Sequence, residues 1–98
     1  MIELNSRQRK ILEKAAHNLQ PVVIVGGAGV TEGLIKMVAA SVKAHELIKI
    51  KFNEYKDEKV ELTQKICDAC DANLVRIIGN VAVVYRPADD PKDRVITI

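Results

Sequence analysis

The sequence predicts a mixed α/β fold, an α+β arrangement of two layers in which helices pack on a mixed four-stranded sheet. Apolar residues recur every 3.6 residues in three segments and form short runs or alternate in four others, so the predicted order is α-β-α-β-α-β-β. The chain has 98 residues, of which 48% are hydrophobic and 29% charged, and this suits a single hydrophobic core.

The first helix and the first strand are predicted from residues 6–25. Ser6 is a candidate N-cap, and Pro21 stops any continuation of the helix. The run 22–25 is fully apolar and too short for a helix, so it predicts a buried strand. The helix itself is predicted from a stripe at helical spacing that comprises Ile11, Leu12, Ala15, Ala16 and Leu19.

A second helix and a second strand follow. Thr31 is a good N-cap, and the apolar residues Leu34, Val38 and Val42 recur at i, i+4 and i+8. Residues 47–52 then alternate with period two, so the side chains of Lys49 and Lys51 share the face opposite to the apolar one. This pattern predicts a strand with one wet, basic face.

The last predicted elements are a helix that opens at Asp57 and a hairpin of strands 74–78 and 81–85 joined by Gly79-Asn80. Right-handed crossovers would place the second and third helices on one face of the sheet, leaving the other face to the basic stripe. We expect residues 1–86 to form one domain. Residues 87–98 are expected to be a mobile tail, although 94–98 alternate enough to add an edge strand.

A glycine loop, Gly26-Gly27-Ala28-Gly29, lies between the first strand and the second helix. Glycine permits positive φ and close approach of the backbone to a ligand. The helix that follows directs unpaired N–H groups and the positive end of its dipole at the loop, so an anion such as phosphate is favoured there. Glu32 would repel that anion unless its carboxylate points aside.

Nucleotide-binding and catalytic patterns do not fit this loop. A Walker motif would need Gly-Lys at fixed spacing, and Lys36 stands too far along the chain; the dinucleotide pattern would need glycine where Glu32 stands. Cys67 and Cys70 fall late in the third helix without nearby metal ligands, so they favour buried core thiols over a redox or zinc site. We therefore expect no enzymatic activity, no cofactor and no metal.

The formal net charge is +2, distributed unevenly. Residues 1–56, which contain the glycine loop, hold nine Lys/Arg against five acids, whereas residues 57–98 hold six against eight. Only three residues are aromatic, which disfavours extensive base stacking. The N-terminal segment lacks the apolar core of a secretory signal and no run is long enough to span a membrane, so a cytoplasmic protein with reduced cysteines is expected.

The chain resembles the YhbY family, the bacterial stand-alone form of the chloroplast RNA splicing and ribosome maturation (CRM) domain. The resemblance covers residues 4–86, and the matching segments are Ala16-His17 with Leu19 and Pro21, 22–29, 30–33, 46–49, 75–79 and 83–86. It implies a fold similar to the C-terminal domain of translation initiation factor three. It also implies RNA binding and association with precursors of the large ribosomal subunit.

The family's GxxG loop maps onto residues 26–29 and is similar to the backbone-clamping loop of KH domains. Many family members have a polar or basic residue inside this loop, whereas this chain has Gly27 and Ala28. The loop would then contribute backbone amides, and cations elsewhere would supply the charge.

We expect a monomer that contacts ribosomal RNA, with recognition by shape and phosphate. Two alternatives stay open: a small nucleotide-binding enzyme that uses the same loop, and an adaptor whose basic sheet face binds an acidic protein. Each basic residue taken singly could equally be a solvated charge. The candidate RNA-binding residues are Gly26, Gly27, Ala28, Gly29, Thr31, Arg7, Arg9, Lys10, Lys14, Lys36, Lys49, Lys51 and Arg86.

Overall fold

The computed structural model describes residues 2–96 and 98 and confirms the predicted fold class and element order. Two short 3-10 turns, Lys56–Glu58 and Pro91–Asp93, accompany the main elements. The main elements are α1 Ser6–Ala16, β1 Val23–Val25, α2 Glu32–His45, β2 Leu47–Phe52, α3 Lys59–Cys70, β3 Asn73–Ile78 and β4 Val81–Tyr85.

The strands form one sheet in the order β1-β2-β4-β3. β1 is parallel to β2, and β4 is antiparallel to both of its neighbours, so the hairpin inserts its second strand between β2 and β3. The partners Ile24, Lys51, Val81 and Ile78 make one row across all four strands. Because successive side chains alternate between faces, this row projects from a single face of the sheet.

Two opposite edges of the sheet organise the molecule. We call the edge at which β1 and β2 end the loop edge; it consists of residues 26–29, 53–56 and 79–80. We call the edge at which β2 and β3 begin the start edge; it consists of residues 46–47, 73–74 and 85–86. β2 has six residues, so the two edges are about 17 Å apart at a rise of about 3.3 Å per residue.

Helices cover both faces of the sheet. On the first face, α2 and α3 bury residues such as Val38, Val42 and Ile66 against β1, β2 and β4, which confirms the expected placement of these two helices. On the second face, α1 buries Leu12 and Ala16 against β2, β3 and β4. The sequence predicted two layers, and α1 adds a partial third. The handedness rule for crossovers does not constrain α1, because this helix precedes the first strand.

The helix starts agree with prediction at α2 and differ at α1 and α3. The Thr31 hydroxyl accepts from the Leu34 N–H at 3.1 Å, as expected. The cap of α1 is Asn5 rather than Ser6, because Asn5 and Gln8 exchange two side-chain to backbone bonds in a capping box. α3 begins at Lys59, after the 3-10 turn, rather than at Asp57.

The apolar run 22–25 is not fully buried, which corrects the sequence prediction. Val23 and Val25 lie in the core, but Val22 and Ile24 are 48% and 55% exposed. β1 is an edge strand, and α1 packs on the other three strands of the sheet without covering the outer side of β1. Residues 22–25 are therefore all apolar although only one face of β1 lies in the core, because its other, exposed face is apolar as well.

The segment 87–96 is tied to the body of the domain at several backbone groups, although residues 89–95 are exposed, and the described part of 94–98 forms no edge strand. The buried carboxylate of Glu46 accepts N–H groups from Ala88, Val95 and Ile96 at 3.2, 3.0 and 3.1 Å. Ile96 and Ile98 also pack on the α1 side of the core. The expected tail thus has defined contacts.

Candidate functional site

The glycine loop forms a tight turn at the loop edge. The Gly29 N–H donates to the Gly26 carbonyl at 3.0 Å, and Gly29 has φ +74°, which only glycine adopts readily. The N–H groups of Asn53 and Glu54 both donate to the Val25 carbonyl, which fixes the base of the loop to the segment after β2. The turn is therefore anchored at its base.

The apex of the loop is open. Gly27 and Ala28 are exposed, and a Cβ atom on Gly27 would meet nothing within 4 Å. Within residues 2–96, the N–H groups of Gly27 and Ala28 donate to no protein acceptor. Two backbone donors and an unobstructed approach are what a phosphate group requires.

Tyr55 is the feature of the site that sequence reasoning missed. Its hydroxyl donates to the Gly27 carbonyl at 2.9 Å, and its ring lies 3.3 Å from the point that a Cβ atom on Gly29 would occupy. Tyr55 has φ 56° and remains 43% exposed. No sequence pattern signals this placement, since the left-handed backbone of a tyrosine is uncommon.

The start of α2 lies directly beyond the loop. The hydroxyl oxygen of Thr31 is engaged by Leu34, so this residue acts mainly to shape the helix N-terminus. Glu32 and Lys36 are both exposed in the first two turns. Lys36 is therefore a cation that the structure does bring to the loop end of the molecule.

Three of the predicted basic residues of α1, Arg7, Arg9 and Lys10, lie on its N-terminal half, away from the loop. The N-terminal half of this helix is at the start edge, where one guanidinium nitrogen of Arg9 donates to the carbonyls of Leu74 and Val75, both at 2.7 Å. Arg9 is thus a structural contact between α1 and β3. Arg7, Lys10 and Lys14 are exposed on α1, Lys14 in its last turn.

The two lysines of β2 differ in environment. Lys49 donates to the carbonyls of His17 and Leu19 at 3.4 and 3.1 Å, so it satisfies the C-terminal end of α1. Lys51 is exposed and lies near the loop edge, between Ile24 and Val81 in the row across the sheet. Among the described residues, the predicted basic stripe is therefore reduced to Lys51.

Two further arginines, Arg76 and Arg86, are paired with acids or distant from the loop. Arg76 pairs with Glu13 at 3.2 Å. Arg86 lies at the start edge, where its backbone N–H donates to the Glu46 carbonyl and its guanidinium is 3.7 Å from Asp89. The structure therefore does not bring Arg86 to the glycine loop.

Charges other than the predicted Lys36 and Lys51 also surround the loop edge. Lys59 donates to the Gly79 carbonyl and the Asn80 side chain at 2.7 and 3.3 Å, joining the start of α3 to the hairpin turn. Acidic residues balance the lysines locally, so backbone donors are needed for an anion site here. The charged residues toward this edge are Lys36, Lys51, Lys56, Lys59, Glu32, Glu54, Asp57 and Glu58.

Both cysteines are free and buried, as expected for core thiols. Burial, together with the neighbouring Cys70 and Asp68, raises the pKa of Cys67 from 9.0 to about 12. Burial likewise raises the pKa of the Cys70 thiol. Among the described residues, no group of three or more His, Cys, Asp or Glu is placed to hold a metal ion. Nor does the described part of the chain contain a helix long and apolar enough to cross a bilayer.

The fold and the loop edge together define a small α/β domain that presents a glycine turn at the start of a helix. A family model described as the CRS1 / YhbY (CRM) domain matches residues 4–86. The chain therefore belongs to this family, and the resemblance seen in the sequence is confirmed.

Individual relatives span nearly the whole chain. A Haemophilus influenzae protein named RNA-binding protein is 36% identical over 93 residues, which cover 94% of each chain. A protein of Methanocaldococcus jannaschii named probable RNA-binding protein is 37% identical and covers 89% of this chain, with 66% of its own length matched. The solution structure of a hypothetical protein from Staphylococcus aureus aligns with a TM-score of 0.79 at 30% identity, covering 97% of this chain and 100% of that one.

Proposed function

We propose that this protein binds structured ribosomal RNA through the glycine loop and acts in assembly of the large ribosomal subunit. The observation that carries the proposal is the open apex of the loop, where the exposed N–H groups of Gly27 and Ala28 have no protein acceptor within the described chain. Placed before the N-terminus of α2, these donors favour a phosphate of the RNA backbone. Family membership and the names of the relatives support RNA as the source of that phosphate.

In this proposal the loop binds RNA and catalyses no reaction. The donors hold phosphate oxygens and read no base, so they supply affinity and orientation. Exposed cations such as Lys36 and Lys51 add a salt-dependent attraction. The protein would then act as a monomer in the cytoplasm, on precursor particles of the large subunit.

The substitution Gly27→Asp tests the loop. No atom lies within 4 Å of the new Cβ, so the fold is retained, while the carboxylate repels a phosphate at the apex. Gly29→Asp is less suitable, because its positive φ and the Tyr55 ring at 3.3 Å would distort the turn. We expect Gly27→Asp to weaken binding of labelled large-subunit ribosomal RNA fragments by roughly tenfold or more, or about 1.4 kcal/mol.

Ala69→Asp is the matched control, since Ala69 is exposed near the end of α3, at the start edge of the sheet. It adds the same charge far from the loop. Fluorescence anisotropy titrations, with thermal melting to verify folding, compare the two variants. Equal affinities for Gly27→Asp and Ala69→Asp would show that the loop is only a turn.

The ribosomal target needs a test in cells. Crosslinking followed by RNA sequencing is expected to recover large-subunit ribosomal RNA and its precursors, with crosslinked peptides that include residues 26–36. Recovery of small-subunit RNA or messenger RNA instead would contradict the proposed role in assembly while leaving RNA binding intact.

A further inference from the structure

We propose that Tyr55 is a stacking platform for an unpaired RNA base next to the phosphate held by the glycine loop. This inference rests on the proposed function and adds a class of target to it: RNA with an unpaired nucleotide at the contact point. The tyrosine is 43% exposed at the loop edge, and its ring lies beside Gly29.

The Tyr55 ring is held in place from two directions. Its hydroxyl donates to the Gly27 carbonyl at 2.9 Å, and the turn N-terminal to α3 fixes its backbone at φ 56°. One part of the ring lies beside Gly29, 3.3 Å from the point that a Cβ atom there would occupy, while 43% of the residue stays in solvent. An aromatic ring already ordered before binding loses little conformational entropy when a base packs on it.

The same hydroxyl orients the loop. In a trans peptide the carbonyl and the following N–H point in opposite directions. Since the Gly27 carbonyl points to the Tyr55 hydroxyl, the Ala28 N–H points away from the tyrosine. One side chain thus fixes a phosphate donor on one side and offers a ring face close by.

The charge at the loop edge makes such a ring useful. Lysines and acids are balanced there, so the electrostatic attraction between this edge and the RNA phosphate backbone is modest by itself. Stacking of one base on an aromatic ring contributes about 1–3 kcal/mol and tolerates any base. Bases in a continuous duplex are not available for this contact, so the platform favours loops, bulges and single strands.

Tyrosine fluorescence provides a direct readout. The chain has no tryptophan and two tyrosines. Tyr85 is fully buried, and its hydroxyl has no partner among the described residues, so Tyr85→Phe leaves Tyr55 as the only emitter without removing a bond. In this background we expect an RNA hairpin with an unpaired loop to quench the emission, and the fully paired duplex of the same stem to leave it nearly unchanged.

Variants at position 55 separate stacking from support of the loop. Tyr55→Phe keeps the ring and loses the hydroxyl, whereas Tyr55→Asn loses the ring but suits the left-handed backbone. We expect Tyr55→Asn to weaken hairpin binding by roughly 5- to 150-fold, the equivalent of one stacked base, and Tyr55→Phe by less than about threefold. Thermal melting verifies that each variant is folded.

The outcomes also separate this inference from the proposed function. If Gly27→Asp weakens binding but Tyr55→Asn does not, and emission is not quenched, Tyr55 is no platform and the loop proposal stands. Equal losses of hairpin affinity for Tyr55→Phe and Tyr55→Asn would mean that the tyrosine only supports the loop through its hydroxyl. That result would overturn the stacking proposal. If the wild-type protein binds neither RNA, both proposals fall.

Discussion

At the scale of one residue, Arg9 is a predicted RNA contact whose side chain instead joins α1 to β3. Its guanidinium holds the carbonyls of Leu74 and Val75, where the pairing of β3 with β4 shifts register. We expect Arg9→Ala to lower the free energy of unfolding by about 1.5–3 kcal/mol, as for hydrogen bonds from a charged donor. Urea denaturation measures this loss.

Arg7→Ala is the matched control for Arg9, because Arg7 is exposed in the same turn of α1 and loses the same charge. A surface substitution of this kind changes stability by less than about 0.5 kcal/mol. If the two variants have equal denaturation midpoints, the bonds from Arg9 to β3 do not stabilise the protein.

A second prediction at the scale of one residue concerns Cys67 and the stability of the fold at alkaline pH. The folded thiol has a pKa of about 12, above its unfolded value of 9.0. The associated stability is therefore complete below about pH 9 and is lost as the pH rises from there toward 12. Urea midpoints of the wild type should fall across this window more steeply than those of Cys67→Ala.

Thiol labelling gives an independent check on Cys67, since only the thiolate reacts. At pH 8 the folded protein should react slowly with a disulfide reagent, and both cysteines should react quickly in urea. Rapid labelling of Cys67 in the folded protein would contradict the raised pKa and the burial that causes it.

At the scale of elements, Glu46 joins the end of α2 to the C-terminal segment. It is 3% exposed with φ 62°, and its carboxylate accepts three backbone N–H groups from residues 88–96. Glutamine at this position replaces one acceptor oxygen by a donor. We expect Glu46→Gln to lower the free energy of unfolding by about 1–3 kcal/mol and to speed proteolysis within residues 87–98.

Asp93→Asn is the control for Glu46, as it removes one acidic charge from an exposed position in the same segment. The proteolysis rates and melting temperatures of the two variants are then compared. Similar rates would mean that the segment is not held by the buried carboxylate.

The elements themselves were largely predictable from the sequence, because hydrophobic periodicity reports which face of a helix or strand is buried. The cap at Thr31 and the hairpin turn followed from local chemistry. The position of α1 was not predictable, since no handedness rule applies before the first strand. The burial of the Glu46 carboxylate depends on partners about 42–50 residues away, which no local pattern contains.

The candidate site was predictable only in part for the same reason. The glycine loop could be found from its composition and its place between strand and helix. Tyr55 meets that loop through a left-handed backbone 26 residues after Gly29, and the sequence presents it as one aromatic among three. The α1 cations precede the loop in sequence, yet the helix that carries them starts at the other edge of the sheet.

At the scale of the whole molecule, this separation of charges makes the footprint of the RNA measurable. The start edge and the loop edge are about 17 Å apart, so a ligand confined to the loop edge meets Lys36 and Lys51 but not Arg7 or Lys10. Each phosphate contact removed from single-stranded RNA reduces the slope of log affinity against log salt by about 0.7.

We therefore expect Lys36→Gln and Lys51→Gln each to reduce this slope, and Arg7→Gln and Lys10→Gln to leave it unchanged. Anisotropy titrations between about 50 and 200 mM salt measure the slope for each variant and for the wild type. Because all four substitutions remove one exposed positive charge, the change in net charge is the same and only position differs. Equal reductions at all four positions would mean that the RNA runs from the glycine loop across the sheet to α1. A slope near zero for the wild type would mean that cations contribute little at either edge, leaving the backbone donors of the loop to hold the RNA.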